Sequence, residues 1–396
     1  MTNPALRSKS RIRSATPSTI RQVNRSIILN LVRQHQPISR VDLSERTGIF
    51  RSSVSAIVDE LVEDKLVVEQ RAVPKSRGRV PVLLSLNPDG FRVLGVSIRP
   101  FHTLVADSSL PGIITAKLSF PTPRHPRTLV KLLGKAIERI RSENDSPFHG
   151  VGISVPGLVR ADTGQILMVR SLPRYAGFSI SRAVSELAGA PAAAENDCNA
   201  GALAELWLNE SEIAGVDNFV FVEIGDVGVG AGVIVKGELY GGHDGTWAGE
   251  FGHMIVDPSG PKCSCGRRGC WELFVADRAT WRRYDPHTAY TPARFEELVR
   301  LAIGGDARAA SAFRATARYI SLGLSNIVFG LNPQRIVLAG EITRVWELVR
   351  QTVESAHFSA SMKIQVHPAR FDLNILSLQG AIALALRKVY APPKLG

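Results

Sequence analysis

Apolar residues in the first 90 positions recur at steps of three and four. Ile20, Val23, Ile27, Ile28, Leu31 and Val32 form one stripe, which predicts an amphipathic helix. Gln36-Pro37 ends it, because a residue that precedes proline is driven out of the helical region. Ser39 then stands as a cap for a second helix, with Asp42 three residues on completing a capping-box-like pair. That helix stops at Gly48, which supplies a left-handed turn. Val54, Ile57, Val58, Leu61 and Val62 give a third helix one apolar face. Two extended runs follow, Leu66–Glu69 and Val80–Leu84, with Arg71, Lys75, Arg77, Gly78 and Arg79 between them. Two helices joined by a short Gly-containing turn, then a hairpin with a basic tip, describe a winged helix-turn-helix.

The exposed start of the third helix is Arg51, Ser52, Ser53 and Ser55, short hydrogen-bonding groups and one guanidinium suited to base edges and phosphates. Arg40, Arg51, Ser52, Ser53, Ser55, Arg77 and Arg79 are the residues expected to touch DNA. The wing would enter a minor groove. A small protein-interaction module with solvated charges is the competing reading. Phe50 fits poorly where an N-cap Ser or Asp is expected: either the helix starts elsewhere or the ring packs against the second helix.

From Val93 the pattern changes to alternating strands and helices. Strands are expected at Arg92–Ile98, His102–Ala106, Gly112–Leu118, Gly150–Val155 and Ala192–Ala194, with helices at Leu129–Ile140, Ser181–Leu187 and Ala200–Trp207. A second set starts at Phe219–Ile224, with Gly232–Val235 and Glu238–Tyr240 paired across Lys236-Gly237. A long Ala-rich helix opened by Asp306 and closed by Asn332-Pro333 leads to the strand Arg335–Leu338. Two similar halves predict a two-lobed α/β domain with its ligand in the cleft between the lobes.

Composition narrows the class. At 396 residues, two or three domains fit, and 44% hydrophobic against 21% charged residues excludes long disorder. No run of about 18 apolar residues exists, so no membrane span is expected. The net charge of +12 is uneven: residues 1–90 hold 15 Lys/Arg against 8 Asp/Glu, and the first 40 hold eight basic residues and no acid. Such a block attracts a polyanion, with nucleic acid the leading candidate. An organellar transit peptide is the alternative for the Arg- and Ser-rich start, but the arginines run straight into a helical unit. A cytoplasmic location is expected.

Three of the four cysteines lie within eight residues. Cys263, Cys265 and Cys270 form C-x-C-x4-C, and His253 lies ten residues before Cys263. Three thiolates and an imidazole make a closed tetrahedral zinc site of the structural type. A C-x-C redox pair is disfavoured by the strain of so short a bridge. Glu195-Asn196-Asp197 places a carboxylate beside an amide, able to bind vicinal hydroxyls or merely to turn the chain and cap a helix. The Gly-rich run Gly225–Gly232 lets a phosphate approach the backbone, or is only a tight hairpin.

Gly249-Glu250-Phe251-Gly252-His253 and the run from Cys263 to Glu272 resemble the signature of the ROK family (repressors, open reading frames, kinases). Glu195-Asn196-Asp197 resembles that family's sugar motif, and Ile38–Glu69 the DNA-binding domain of its repressors. The resemblance implies an α/β chain: an N-terminal winged helix-turn-helix, then a two-lobed actin-like (ribonuclease H-like) sugar-kinase-type ATPase fold. It divides the chain into a basic leader (1–20), the winged helix (21–90), a first lobe (91–200, with a C-terminal helix 379–391) and a second lobe with the zinc loop (201–378). It implies that Asn196, Asp197, Glu250, His253 and Glu272 contact sugar hydroxyls, while His253, Cys263, Cys265 and Cys270 hold structural Zn2+. His253 would use one ring nitrogen for each task.

The family's kinases carry an Asp-x-Gly-Gly-Thr-like first phosphate loop. Here the equivalent stretch is Ser97-Ile98-Arg99-Pro100-Phe101-His102, and in the second loop the kinases' Thr is Asp226. Proline has no N–H to offer phosphate, and Asp226 repels it. Asp197, the would-be base, has no organised phosphoryl donor to serve. No catalytic residue is therefore assigned. The function expected is a DNA-binding transcriptional regulator, a repressor released by a sugar or sugar-phosphate effector. It would act as a homodimer or homotetramer on double-stranded operator DNA, with no membrane partner. An active ATP-dependent sugar kinase, and a regulator answering to a protein partner, are the alternatives.

Overall fold

A computed structural model of the chain describes residues 16–71, 82–208, 215–226, 228–354, 365–372 and 375–390. They divide into two compact units, one up to Phe91 with the residues from Arg387 on, the other Arg92–Leu386.

In the smaller unit, α1 spans Pro17–His35, with Thr16 Oγ accepting from the Thr19 N–H. It buries Ile28, Leu29 and Val32, while Ile20 and Ile27 of the expected stripe stay exposed. Strand β1 (Ile38–Ser39) leads into α2 (Arg40–Thr47). The capping box is present: Asp42 N–H donates to Ser39 Oγ at 3.2 Å and Ser39 N–H to Asp42 Oδ2 at 3.1 Å. Gly48 ends α2 at φ +69°, a left-handed conformation that glycine adopts without a Cβ penalty. Helix α3 (Arg51–Glu63) buries Val54, Ile57, Val58 and Leu61 against the other two. β2 (Val67–Arg71) and β3 (Val82–Leu86) pair antiparallel, and β1 adds to β3 in a three-stranded sheet. The expected wing tip, with Lys75, Arg77, Gly78 and Arg79, lies outside the described residues. Tyr390 packs into this unit: its carbonyl accepts from Asn30 Nδ2 at 2.8 Å, and the Arg33 guanidinium lies 5.0 Å above its ring.

The larger unit holds two five-stranded sheets of the same design. The first takes β4 (Arg92–Ile98), β5 (His102–Ser109), β6 (Ile114–Pro121), β7 (Gly150–Val155) and β10 (Ala192–Asn196), in the order β10-β7-β4-β5-β6. A small hairpin of β8 (Leu158–Arg160) and β9 (Gln165–Met168) stands apart. Helices α4 (Pro126–Glu143), α5 (Ile180–Ala188) and α6 (Asp197–Leu208) complete the first half. The second sheet takes β11 (Phe219–Ile224), β12 (Val229–Val235), β13 (Glu238–Leu239), β14 (Arg335–Gly340) and β15 (Gln365–Pro368), in the order β13-β12-β11-β14-β15. Each sheet is a three-stranded antiparallel meander extended by two parallel strands on the side of its first strand. This is the duplicated architecture expected from the sequence.

The central strands β4 and β7 are buried throughout, whereas β6 at the edge alternates half-buried with exposed positions. One core joins Leu94, Val96, Val151 and Ile153 to Leu129, Leu133 and Ile137 of α4. The second half carries α7 (Glu272–Val275), α8 (Asp277–Tyr284), α9 (Pro292–Ile303), α10 (Ala307–Leu331) and α11 (Trp346–Glu354). Its core joins Val220, Val222, Ile336 and Leu338 to Phe313, Ile320 and Leu324 of α10. Asp306 and Asn332 bound α10 as expected, the former accepting from Ala309 N–H at 2.7 Å and the latter left-handed at φ 45°. Helix α12 runs Leu376–Tyr390, starting earlier than the expected 379. It lies so close on β7 that a Cβ on Gly152 would fall 1.7 Å from the Ala381 carbonyl oxygen. Among the described residues no helix is long and apolar enough to cross a membrane.

Candidate functional site

The Glu195-Asn196-Asp197 motif stands at a strand end. β10 runs straight into α6, so Glu195, Asn196 and Asp197 stand at a strand-to-helix junction. Asn196 Oδ1 accepts from the N–H groups of Cys198 (2.9 Å) and Asn199 (3.2 Å), and its Nδ2 donates to the Gly157 carbonyl at 2.9 Å. Its amide therefore caps α6, and one of its two side-chain N–H bonds stays available to a ligand. Glu195 is buried, accepting from Asn196 N–H and Asn199 Nδ2.

Asp197 accepts from the Cys198 N–H at 3.0 Å. Burial, and then the neighbouring Glu223, push its carboxyl up to about 7, while the Arg99 guanidinium pulls the other way. Arg99 Nη2 lies 3.4 Å from Glu223 Oε1 and Nη1 3.4 Å from Ser377 Oγ. Burial opposes the charge of Arg99, but Glu223 and Asp197 outweigh it and hold its pKa above the usual value. Ser97 is buried with its Oγ 2.5 Å from Ser377 Oγ on α12.

The Gly-rich turn singled out in the sequence is lined by acidic residues. The turn from β11 to β12 closes with Gly225 N–H on the Gly228 carbonyl at 2.9 Å. Asp277 packs against it, its N–H donating to the Gly225 carbonyl at 3.1 Å, and its buried carboxyl is pushed far up by burial, by Glu341 and by Asp226. A phosphate entering here meets the carboxylates of Asp226 and Glu341, which together with burial keep the Asp277 carboxyl neutral.

The cysteines and histidine come together as the spacing predicted. The ligand atoms of His253, Cys263, Cys265 and Cys270 all lie within 4.8 Å of one another. Cys265 Sγ is 3.5 Å from Cys270 Sγ, and Cys263 Sγ is 3.7 Å from His253 Nδ1. A zinc ion at about 2.3 Å from sulfur and about 2.0 Å from nitrogen spaces tetrahedral ligands roughly 3.5–3.8 Å apart. The donor set and its spacing fit that ion. Burial pushes the Cys270 thiol up to about 12, whereas bonds from Arg267 draw Cys265 down to about 6. A divalent cation would supply the charge that favours three thiolates.

His253 links the cysteines to two carboxyl groups. With Nδ1 turned to the cysteines, Nε2 faces Glu250 Oε2 at 3.9 Å. Glu272 is buried, with Oε1 3.0 Å from Cys263 Sγ and 3.6 Å from His253 Nδ1. Burial raises the Glu250 carboxyl, and His253 and Arg170 draw it down. Trp271, fully buried, donates its indole N–H to the Tyr319 carbonyl at 2.7 Å and anchors the loop to α10.

In the smaller unit Arg51, Ser52 and Ser53 are exposed at the start of α3, and Ser55 is half-buried. Arg40 is paired: it bonds Asp59 Oδ1 (2.6 Å), Glu69 Oε1 (2.7 Å) and the Ser55 carbonyl (3.2 Å). Its side chain ties α2 to α3 and β2. Phe50 is a correction to both expectations: α3 starts directly after it, and its ring is 82% exposed instead of packed on α2. A residue without a capping side chain forgoes about 1 kcal/mol at this position, and an aromatic ring left in water forgoes about 1.5–3 kcal/mol more.

Reading the sequence missed Arg99 as a cleft residue in its own right, and missed Glu223, Asp277 and Ser377 altogether. A charged residue inside the run Phe219–Ile224 was the available signal for Glu223.

A helix-turn-helix unit joined to a duplicated two-sheet domain, with a sugar-kinase-like cleft and a Cys3His loop, defines a class of DNA-binding regulators built on a kinase scaffold. The chain belongs to the ROK family, whose model matches residues 101–388. The MarR family model matches residues 22–78. The xylose repressor of Bacillus subtilis is 30% identical over 345 residues, 86% of this chain and 88% of that protein. Among solved structures, a ROK family transcriptional regulator, a homolog of the Escherichia coli MLC protein, superposes with a TM-score of 0.77 at 25% identity. It covers 94% of this chain and 97% of that one. A ROK hexokinase from Thermus thermophilus, 28% identical, matches 76% of this chain and 99% of its own with a TM-score of 0.63.

Proposed function

We propose that this chain is a transcriptional repressor whose grip on operator DNA is controlled by a sugar bound in the cleft, with zinc in the Cys3His loop. It has no kinase turnover. The observation that carries the reading is the ion pair of Arg99 with Glu223 beside Asp197, where a kinase needs an open, glycine-lined phosphate loop. A guanidinium and Pro100 replace the N–H cradle, and Asp226 and Glu341 make the second loop hostile to phosphate. Asp197, Glu250, His253 and Glu272 contact the sugar hydroxyls, with Asn196 helping through its remaining N–H. Arg51, Ser52 and Ser53, with Arg77 and Arg79 of the wing, meet the DNA; Arg40 serves chiefly to hold α2 and α3 in place. The functional species is a homo-oligomer that presents two recognition helices to a palindromic operator.

Fluorescence anisotropy tests this, using duplexes from the region upstream of the protein's own gene and a panel of pentoses, hexoses and their phosphates. One sugar should weaken binding 5- to 150-fold, corresponding to a coupling of about 1–3 kcal/mol. No response to any sugar would overturn the effector assignment. One observation favours the kinase alternative: Asp197, at about 7, is tuned as a general base should be. ADP release measured over the same panel decides it, and no turnover is expected.

A further inference from the structure

We propose that Phe50 reads DNA sequence: its ring packs against the C5-methyl group of a thymine in the major groove, which makes one operator position per half-site selective for thymine. This rests on the DNA-binding reading of the smaller unit. Phe50 is the residue on which α3 starts. Its carbonyl accepts the first helical N–H, from Val54 at 3.0 Å, so its backbone is part of the helix entry. The turn that delivers it is pinned by side chains: Ser44 Oγ donates to the Ile49 carbonyl at 2.7 Å, and Ile49 N–H donates to Thr47 Oγ1 at 3.2 Å. The ring is thus presented from a fixed turn, and it is 82% exposed.

The setting selects the partner. Arg51, Ser52 and Ser53, which follow Phe50, are exposed and offer no apolar group for a protein patch. No side chain caps α3, so the polar groups around the ring are ones that suit a phosphodiester backbone. A recognition helix meets base edges with its N-terminal residues. On those edges the thymine methyl is the one apolar group, and aromatic side chains pair with it. A residue that breaks both the capping rule and the burial rule at the head of a recognition helix is placed there for contact.

The test uses the full-length protein. A bound duplex is selected from a randomised pool, and each thymine of the half-site is replaced in turn by deoxyuridine, which removes only the methyl. At one position the wild type should lose about fourfold in affinity, the factor that burial of one methyl-sized group supplies. Phe50→Ala should bind that duplex more weakly and be indifferent to the replacement, and Phe50→Leu should keep part of the effect. Circular dichroism should show both variants folded, since the ring is outside the core. Equal loss in Phe50→Ala and wild type, or no methyl-sensitive thymine, would overturn the inference while leaving DNA binding intact. Failure of the wild type to select any duplex would overturn the DNA-binding reading and this inference with it.

Discussion

Nη2 of Arg99 stands 3.4 Å from Oε1 of Glu223, on the two sheets of the larger unit, with Asp197 beside both. The pair ties the turn after β4 to β11. It also bears on the charge of Asp197, which burial and then Glu223 push toward the neutral acid and Arg99 pulls back.

That arrangement makes sugar binding depend on pH. Asp197 titrates at about 7 in the fold against an ordinary 3.8, so its ionisation costs the folded state stability as pH rises through that interval. A sugar hydroxyl that donates to Asp197 favours the carboxylate, and sugar affinity should rise between pH 6 and pH 8. Calorimetric titration at pH 6, 7 and 8 checks this. Arg99→Ala should move the midpoint upward, and Asp197→Asn should flatten the profile.

Purified protein should hold one zinc per chain by elemental analysis. Cys263→Ser or Cys265→Ser should lose it. Thermal unfolding should then come roughly 10 °C earlier, the shift that about 3–5 kcal/mol produces in a domain of this size. Sugar response should fall with the metal, because His253 belongs to the metal cluster and its Nε2 faces Glu250.

Gly323 is where α10 makes room for Trp271 of the Cys3His loop. A Cβ there would sit 2.0 Å from Trp271 Cε2. Gly323→Ala should therefore destabilise the protein by about 1–3 kcal/mol through overpacking. Zinc release to a chelator should speed up as Trp271 shifts, which a colorimetric chelator assay follows.

The cationic residues of the smaller unit should separate by role. Arg51→Ala, and Arg77→Ala with Arg79→Ala, should reduce the slope of log affinity against log salt by about 0.9 per lost phosphate contact. Arg40→Ala should leave most of that slope in place and lower stability instead, by about 0.2–1 kcal/mol per pair lost with Asp59 or Glu69. Anisotropy titrations across a salt series, with urea unfolding alongside, distinguish the two.

Features made by neighbours in the chain were legible from the sequence. The capping box of Ser39 and Asp42, the left-handed Gly48, the bounds of α10 and the strands Arg92–Ile98, Gly150–Val155 and Phe219–Ile224 lie where local hydrogen bonds and side-chain periodicity put them. The convergence of His253, Cys263, Cys265 and Cys270 belongs with them, since the four residues span only Cys270 back to His253. Tertiary structure alone decided the rest. Ser97 meets Ser377, Arg99 meets Glu223, and Arg40 is consumed by Asp59 and Glu69, all through packing of distant segments that no periodicity encodes. Whether a charge is free or neutralised, and whether the ring of Phe50 is buried or bare, depends on what the fold brings within a few ångströms, and sequence separation carries no information about that distance.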